Sequence, residues 1–310
     1  MKPQMGDFNP DWLTLREPAD DAARSVRLTS LLADRLAGGP GGPRDPGDPG
    51  DPEDNILRVL DLATGTGANL RYLAERLPPD QSWLLVDRDP ALLAALPARV
   101  RAWGVARGFA VTPLPDGVLV SNDRMTCQTR THRLDLAADR VVCDVDLFAG
   151  RGLVTASALL DLVSEEWVRT LAGRCHDAKA AVLFALTYDG RIHCSPGEPE
   201  DDTIRTLVNS HHRTDKGFGA ALGPAASMSA ARMFTDAGYE VHRDSSDWVL
   251  EPDAHELQEK LIEGWAAAAT AIAPGQGGSI QSWSARRIAH VAAGSSRLIV
   301  GHEDLAGWLP

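Results

Sequence analysis

Eleven consecutive residues carry the most specific chemistry in the chain: Val59-Leu60-Asp61-Leu62-Ala63-Thr64-Gly65-Thr66-Gly67-Ala68-Asn69. An apolar run enters a glycine turn, and the turn opens a helical pattern. Glycines at such a turn let the backbone approach a ligand where a Cβ would clash. The dinucleotide pattern G-x-G-x-x-G is incomplete, because Leu70 stands at the place of the third glycine. Asp61 lies inside the run, four residues before Gly65. A carboxylate there suits an ammonium group better than a pyrophosphate. A second carboxylate, Asp87, ends Trp83-Leu84-Leu85-Val86 and follows Gly65 by 22 residues. An acid about 20 residues on, at the tip of the second strand, is placed to accept hydrogen bonds from ribose hydroxyls. Taken alone, Asp87 reads also as a helix N-cap before Pro90.

A second group of polar residues lies far along the chain, in Asn209-Ser210-His211-His212-Arg213-Thr214-Asp215-Lys216-Gly217-Phe218-Gly219. His211, His212 and Tyr188 are the candidates for a general base. Arg213 and Lys216 suit an acceptor that bears a carboxylate or phosphate. Adjacent histidines on an extended segment point to opposite sides, and no further ligands stand at suitable spacing, so no metal is expected. Asp161 reads as an acceptor contact or as an exposed helix acid. Trp12 is a candidate cap over the cofactor. A solvated lid without chemistry is the alternative for the whole polar segment.

These residues need a frame. Apolar runs at 56–62, 83–86, 153–158 and 180–186 predict buried strands. Helical patterns fall at 68–77, 90–100 and 165–171. The alternation predicts an α/β fold with a doubly wound, mostly parallel sheet. Residues 118–134 read as extended structure. Later come helices at 229–237, 255–271 and 282–293, and strands at 239–243 and 297–300. Residues 188–227 read as an insertion after the fifth strand, far longer than the usual connection, and are expected to form the acceptor-binding lid. At the other end, residues 18–37 predict one helix starting near Pro18. The Gly-, Pro- and Asp-rich stretch 38–54 cannot bury a core and reads as a flexible linker. Three segments result: an accessory N-terminal piece (1–37) expected to fold back over the cofactor pocket, the linker (38–54), and one Rossmann-like domain (55–310).

VLDLATGTGANLRYLAERL followed by WLLVDRDPALLAAL resembles the first two motifs of class I S-adenosylmethionine-dependent methyltransferases. The resemblance covers about residues 56–186. It implies a seven-stranded sheet and S-adenosylmethionine as cofactor. Asp61, Ala63, Gly65, Thr66, Gly67 and Asn69 would then cradle the methionine part. Asp87, with Arg88 beside it, would hold the ribose. Asp135, with Leu136, would meet the adenine, although Asp135 reads equally as a solvated turn residue. The strand containing Ala156 would face the site of methyl transfer. A nicotinamide-dependent oxidoreductase and a non-catalytic cofactor-binding protein are the rival readings.

The bulk numbers constrain the partner. The 310 residues carry a net charge of −12, from 31 Lys and Arg against 43 Asp and Glu. Such a surface repels phosphate backbones, and no basic run compensates, so a small-molecule acceptor is expected rather than nucleic acid. Cys127, Cys143, Cys175 and Cys194 form no C-x-x-C pair, which argues against a zinc or dithiol motif. The first residues lack the apolar core of a signal peptide, and no run has the length of a membrane span. A cytoplasmic location is the expectation. The oligomeric state stays open.

Overall fold

The computed structural model of the chain describes residues 9–38, 56–138 and 145–310. The predicted linker, apart from Gly38, lies outside the described residues, as does Cys143.

Five strands form the parallel heart of the sheet: β1 (Leu57–Leu62), β2 (Asp80–Asp87), β5 (Thr126–Arg133), β6 (Leu153–Ser157) and β7 (Ala181–Ser195). Only Arg58 of β1 is exposed, as befits a strand covered on both faces. Helices α3 (Ala68–Leu73), α4 (Pro90–Ala106) and α6 (Glu165–Asp177) are the crossovers, and the four-residue α5 (Val145–Phe148) precedes β6. Local signals set the helix starts. Asp89 accepts the Ala91 amide ahead of Pro90, and Ser164 accepts the amide of Trp167.

Among the described residues the sheet has ten strands rather than the expected seven. A hairpin of β3 (Ala110–Leu114) and β4 (Gly117–Ser121) extends the β5 edge. Beyond β7 come β10 (Arg297–Trp308), antiparallel to both neighbours, and β8 (Glu240–Ser245), while β9 (Trp248–Leu250) pairs with β10 off the main path. The fold is α/β, doubly wound and mostly parallel in its centre. Leu60, Val154, Phe184, Trp167 and Phe234 fill one face, the last from α8 (Ala226–Asp236). Val59, Leu85, Leu73, Leu96 and Val100 fill the other.

Residues 188–227 depart from the expected lid. β7 continues through Tyr188 to Ser195 and pairs with β10 at Tyr188 and again from Ile192 to Ser195, with a bulge between. Helix α7 (Asp201–His212) follows, then a turn-rich stretch into α8. The second half of this unit is α9 (His255–Ile272) and α10 (Gly277–Ala292), inserted between β9 and β10. Both insertions join in a third core around Tyr188, Ile204, Trp248, Trp265 and Trp283. Arg287 of α10, wholly buried, ion-pairs with Asp201 at 2.6 Å and donates to the Pro196 carbonyl.

The N-terminal piece is two helices where one was expected: α1 (Pro10–Ala23) and α2 (Val26–Gly38). Pro18 lies within α1 rather than at its start. The break falls at Arg24 and Ser25, because Ser25 has better partners than a continued helix. Its hydroxyl accepts the Leu28 amide and donates to Asp244, and its own amide donates to Asp304 Oδ2 at 2.8 Å. Asp304, 2% exposed, takes the Leu186 amide on its other oxygen at 2.8 Å. One carboxylate on β10 therefore fixes both β7 and the arm.

Asp304→Ala leaves two buried amides without an acceptor, each worth about 1–3 kcal/mol. A loss of about 2–5 kcal/mol in urea unfolding is expected, with faster proteolytic release of the arm under native conditions. An unchanged midpoint would show that water replaces the carboxylate.

Candidate active site

At the end of β1 the backbone turns left-handed at Ala63 (φ 53°), Gly65 (φ 58°) and Gly67 (φ 80°). Ala158, just past β6, and Leu186, inside β7, share that rare conformation at φ 54° and 55°. Non-glycine residues so strained gather where surroundings over-determine the backbone, typically at functional edges.

Asp61 lies beneath the turn, wholly buried. It accepts Thr64 Oγ1 at 2.5 Å and Asn69 Nδ2 at 2.7 Å. Both Asp61 oxygens are thus taken by the turn and by the helix that follows it. Asp87 accepts the Gly65 amide on Oδ2 at 2.8 Å and the Asp89 amide on Oδ1 at 2.9 Å. The N-cap of α4 is Asp89, which leaves Asp87 to the turn. Burial raises the Asp87 carboxyl above the usual range, with the amide bonds of Asp89 and Gly65 opposing. A carboxylate has about four lone-pair sites, so two amides leave capacity for ribose hydroxyls.

The other expected contacts sort themselves by position. Arg88 is exposed. Asp135 is exposed at the tip of β5, where it caps the Ala137 amide. Leu136 is buried, and its carbonyl accepts Trp167 Nε1. Ala156 packs in the core beside Leu62 and Phe184, its partners across the sheet, and so does not face the turn. Its neighbours Thr155 and Ser157 do the polar work: Thr155 Oγ1 accepts from Asn69, and Ser157 Oγ accepts from Arg24.

Helix α1 lies directly over the glycines. A Cβ on Gly65 would meet Leu13 Cδ1 at 3.0 Å. Glu17 grips Arg71 through both oxygens, at 2.6 and 2.7 Å, and Arg71 donates to the Thr66 carbonyl. Trp12, the expected cap, packs instead against the third core, one residue from the side chain that covers the turn. Around this turn three buried polar atoms lack a hydrogen-bond partner: Arg24 Nε, Thr66 Oγ1 and Tyr72 Oη. Orphaned polar atoms beneath a close-approach turn fit a polar ligand such as the amino-acid and ribose parts of S-adenosylmethionine.

The polar residues of the second group do meet. Asp161, in the turn after β6, is 5% exposed, and its Oδ1 has no partner. Its Oδ2 is 3.7 Å from His212 Nδ1, which is also buried without a hydrogen bond. The Tyr188 ring lies against His212, tilted by 34° with ring centroids 4.5 Å apart, and its hydroxyl donates to Asn209 Oδ1. Burial pushes the Tyr188 phenol up, so it stays protonated at neutral pH and is no base. His211 points elsewhere, 3.4 Å from Lys216 Nζ; burial, then that ammonium, lowers its pKa to about 4. Burial also lowers Lys216, with Asp161 opposing. Arg213 is exposed and donates to the Asn209 carbonyl.

Among the described residues no cluster of three His, Cys, Asp or Glu could hold a metal, and no helix is long and apolar enough to cross a membrane. A cavity of about 530 Å³, lined by Leu84, Asp116, Arg130, Thr131, His132, Leu134, Leu147 and Arg151, shares no residue with either group.

No family model matches the chain, and no curated protein does. Solved structures are similar at a distance. Phosphoethanolamine N-methyltransferase 2 of Haemonchus contortus, bound to phosphomonomethylethanolamine and S-adenosylhomocysteine, shares 12% identity at a TM-score of 0.41, over 99% of this chain and 59% of that one. The S-adenosylmethionine-dependent methyltransferase SibL shares 19% at 0.37, over 75% and 51%. The cyclopropane synthase MmaA2 of Mycobacterium tuberculosis shares 10% at 0.45, over 97% and 95%. This chain thus spans between half and three-fifths of the length of the first two.

The buried Asp61 makes stability depend on pH in an unusual sense. Burial, opposed by the bonds from Thr64 and Asn69, raises its pKa from 3.8 to about 6. Between these values the folded state holds more protons than the unfolded one, so stability falls as pH rises through that window and levels off above it. Asp61→Asn removes the titration. The stability of the wild type relative to this variant is expected to drop by roughly 2–3 kcal/mol between pH 4 and pH 7. A difference independent of pH, read from urea unfolding, would contradict a buried charge at this position.

Proposed function

We propose that the chain is an S-adenosylmethionine-dependent methyltransferase that acts on an oxygen or nitrogen of a small molecule. The observation that carries this reading is the adjacency of two incomplete polar sites on one strand edge. The first is the glycine turn with Asp87 and its orphaned polar atoms. The second, four residues beyond Ser157, is Asp161 with His212. Leu70, packed in the core where a dinucleotide site needs its third glycine, weighs against the nicotinamide alternative.

When bound, the cofactor supplies a methyl group already activated on a sulfonium. The chain's own task is to hold an acceptor lone pair in line and to exclude water. Gly65 and Gly67 let the backbone approach, Asp87 receives the ribose hydroxyls, and α1 shields the turn. His212 takes the acceptor's proton at Nε2, and the Asp161 carboxylate, which faces Nδ1, steadies the imidazolium that results. Tyr188 restrains the imidazole by packing its ring against it. His211, next to Lys216, sits at the rim with it, where both meet the acceptor's polar end. The net charge of −12 fits a small acceptor better than a nucleic acid.

Calorimetry with S-adenosylhomocysteine and with NAD tests the cofactor; binding of NAD alone would reverse the reading. Asp87→Ala should weaken S-adenosylhomocysteine about ten- to a thousandfold through lost charge-assisted bonds, with the fold intact. Labelled methyl incorporation into a small-molecule library then tests turnover, and its absence with cofactor bound would favour a non-catalytic protein. With an acceptor in hand, His212→Ala should lower kcat about a hundredfold or more and leave cofactor affinity unchanged. Arg213→Ala should change kcat little.

A further inference from the structure

Several arginines around the arm pair with carboxylates, and Arg24 is not among them. Arg16 meets Asp20, Arg27 meets Asp244 and Arg71 meets Glu17. Arg24 is 4% exposed, yet among the described residues no carboxylate lies within ion-pair distance of it. Its Nη1 donates to Asn69 Oδ1 at 2.7 Å and its Nη2 to Ser157 Oγ at 3.1 Å, both neutral oxygens. Its Nε, buried, donates to nothing. The Tyr72 ring lies 4.7 Å from the guanidinium, and a ring face offsets only part of the loss of hydration. Asp61 stands behind Asn69 with both oxygens taken. Asp21 and Asp61 feel its charge only from beyond ion-pair distance; a buried guanidinium with no carboxylate in contact is unfavourable, and its natural complement is an anion.

The place of Arg24 says which anion. It lies at the kink between α1 and α2, fixed by the Ser25–Asp304 bond. Its two partners stand on the helix that follows the glycine turn and at the carboxyl end of β6, the two walls of the proposed cofactor site. A planar guanidinium matches a carboxylate bidentately, where an ammonium would act as a point charge.

We propose that Arg24 is the anchor for the α-carboxylate of the cofactor's amino-acid moiety, so that the N-terminal arm supplies part of the cofactor site. This inference rests on the methyltransferase reading. Since the same arm covers the glycine turn, cofactor binding and arm docking are one coupled equilibrium: ligand that engages Arg24 holds α1 in place, and loss of the arm removes an anchor.

The test is calorimetry on the full chain with two probes, S-adenosylhomocysteine and 5′-methylthioadenosine, which lacks the amino-acid carboxylate. Arg24→Gln should weaken the first about ten- to a hundredfold and the second less than about threefold. Arg24→Lys keeps the charge without the fork and should fall between wild type and Gln for S-adenosylhomocysteine; it also serves if the Gln variant does not fold. Bound S-adenosylhomocysteine should slow proteolytic release of the arm in the wild type more than 5′-methylthioadenosine does at equal saturation. Equal losses for both probes would make Arg24 a structural residue and overturn the proposal, as would unaltered affinity for S-adenosylhomocysteine in both variants. Wild type that binds neither probe would overturn the cofactor reading itself, and the anchor with it.

Discussion

The Asn69 side chain is the joint on which the site depends. Its amide nitrogen donates to Asp61 and to Thr155, and its amide oxygen accepts from Arg24. A carboxylate can only accept and a guanidinium can only donate, so the orientation of the amide is dictated by its neighbours. A flipped amide would set two acceptors and two donors face to face in a buried place. Asp61 also holds Thr64, whose amide is tied to the Val86 carbonyl. One buried chain of hydrogen bonds thus joins the strand end, the glycine turn, the helix after it and the arm above it. In surroundings of low polarity such a chain is strong when complete and penalised when broken.

The carboxyl edge of β6 and β7 shows a different economy. A parallel strand in such a fold usually ends where its loop begins, but β7 runs on to Ser195 against β10. That continuation gives α7, α9 and α10 a sheet to pack against, and their tryptophans supply a core separate from the two faces of the central sheet. The pairing of Arg287 with Asp201, and of Arg286 with Glu198 and Glu200, ties the second insertion to the first. A packed helix therefore carries His211 and His212 at its last turn.

Much of this was legible in the sequence, and the reasons for the rest are physical. The turn from Val59 to Asn69, the strand that ends at Asp87 and the helices α6 and α8–α10 follow from local patterns, because periodicity and caps act over a few residues. The continuation of β7 and β10 was hidden by Asp189, Gly190 and Arg191 on one strand and Gly301, His302 and Glu303 on the other. Most of these residues sit at the bulge of the β7–β10 ladder, which resumes on either side of it, and only the pairing of distant segments reveals the continuation. At Ala156 the run read as apolar throughout and left the face open, and Thr155 and Ser157 were the polar signals in that strand. The kink at Ser25 carried a cap signal, a serine three residues before Leu28, yet the apolar stripe ran through it unbroken. Arg24 left no trace at all, since an arginine on a helix is ordinary until its burial is known.

The two histidines illustrate how the backbone assigns chemistry that composition leaves open. On an extended segment adjacent side chains oppose each other, and both would have served one site poorly. On α7 they are separated by about 100°, enough to send His212 to Asp161 and Tyr188 and His211 to Lys216. The environments then diverge. Beside an ammonium and partly buried, His211 is held neutral and is too weak a base for a proton in the neutral range. Beside an unpartnered carboxylate, His212 has an imidazolium form with a counter-charge waiting at 3.7 Å. The distance is too long for a hydrogen bond and short enough for one to form when the ring or the carboxylate moves slightly. Two neighbouring residues of one type thus meet opposite surroundings, and the helix that separates them packs on the second insertion.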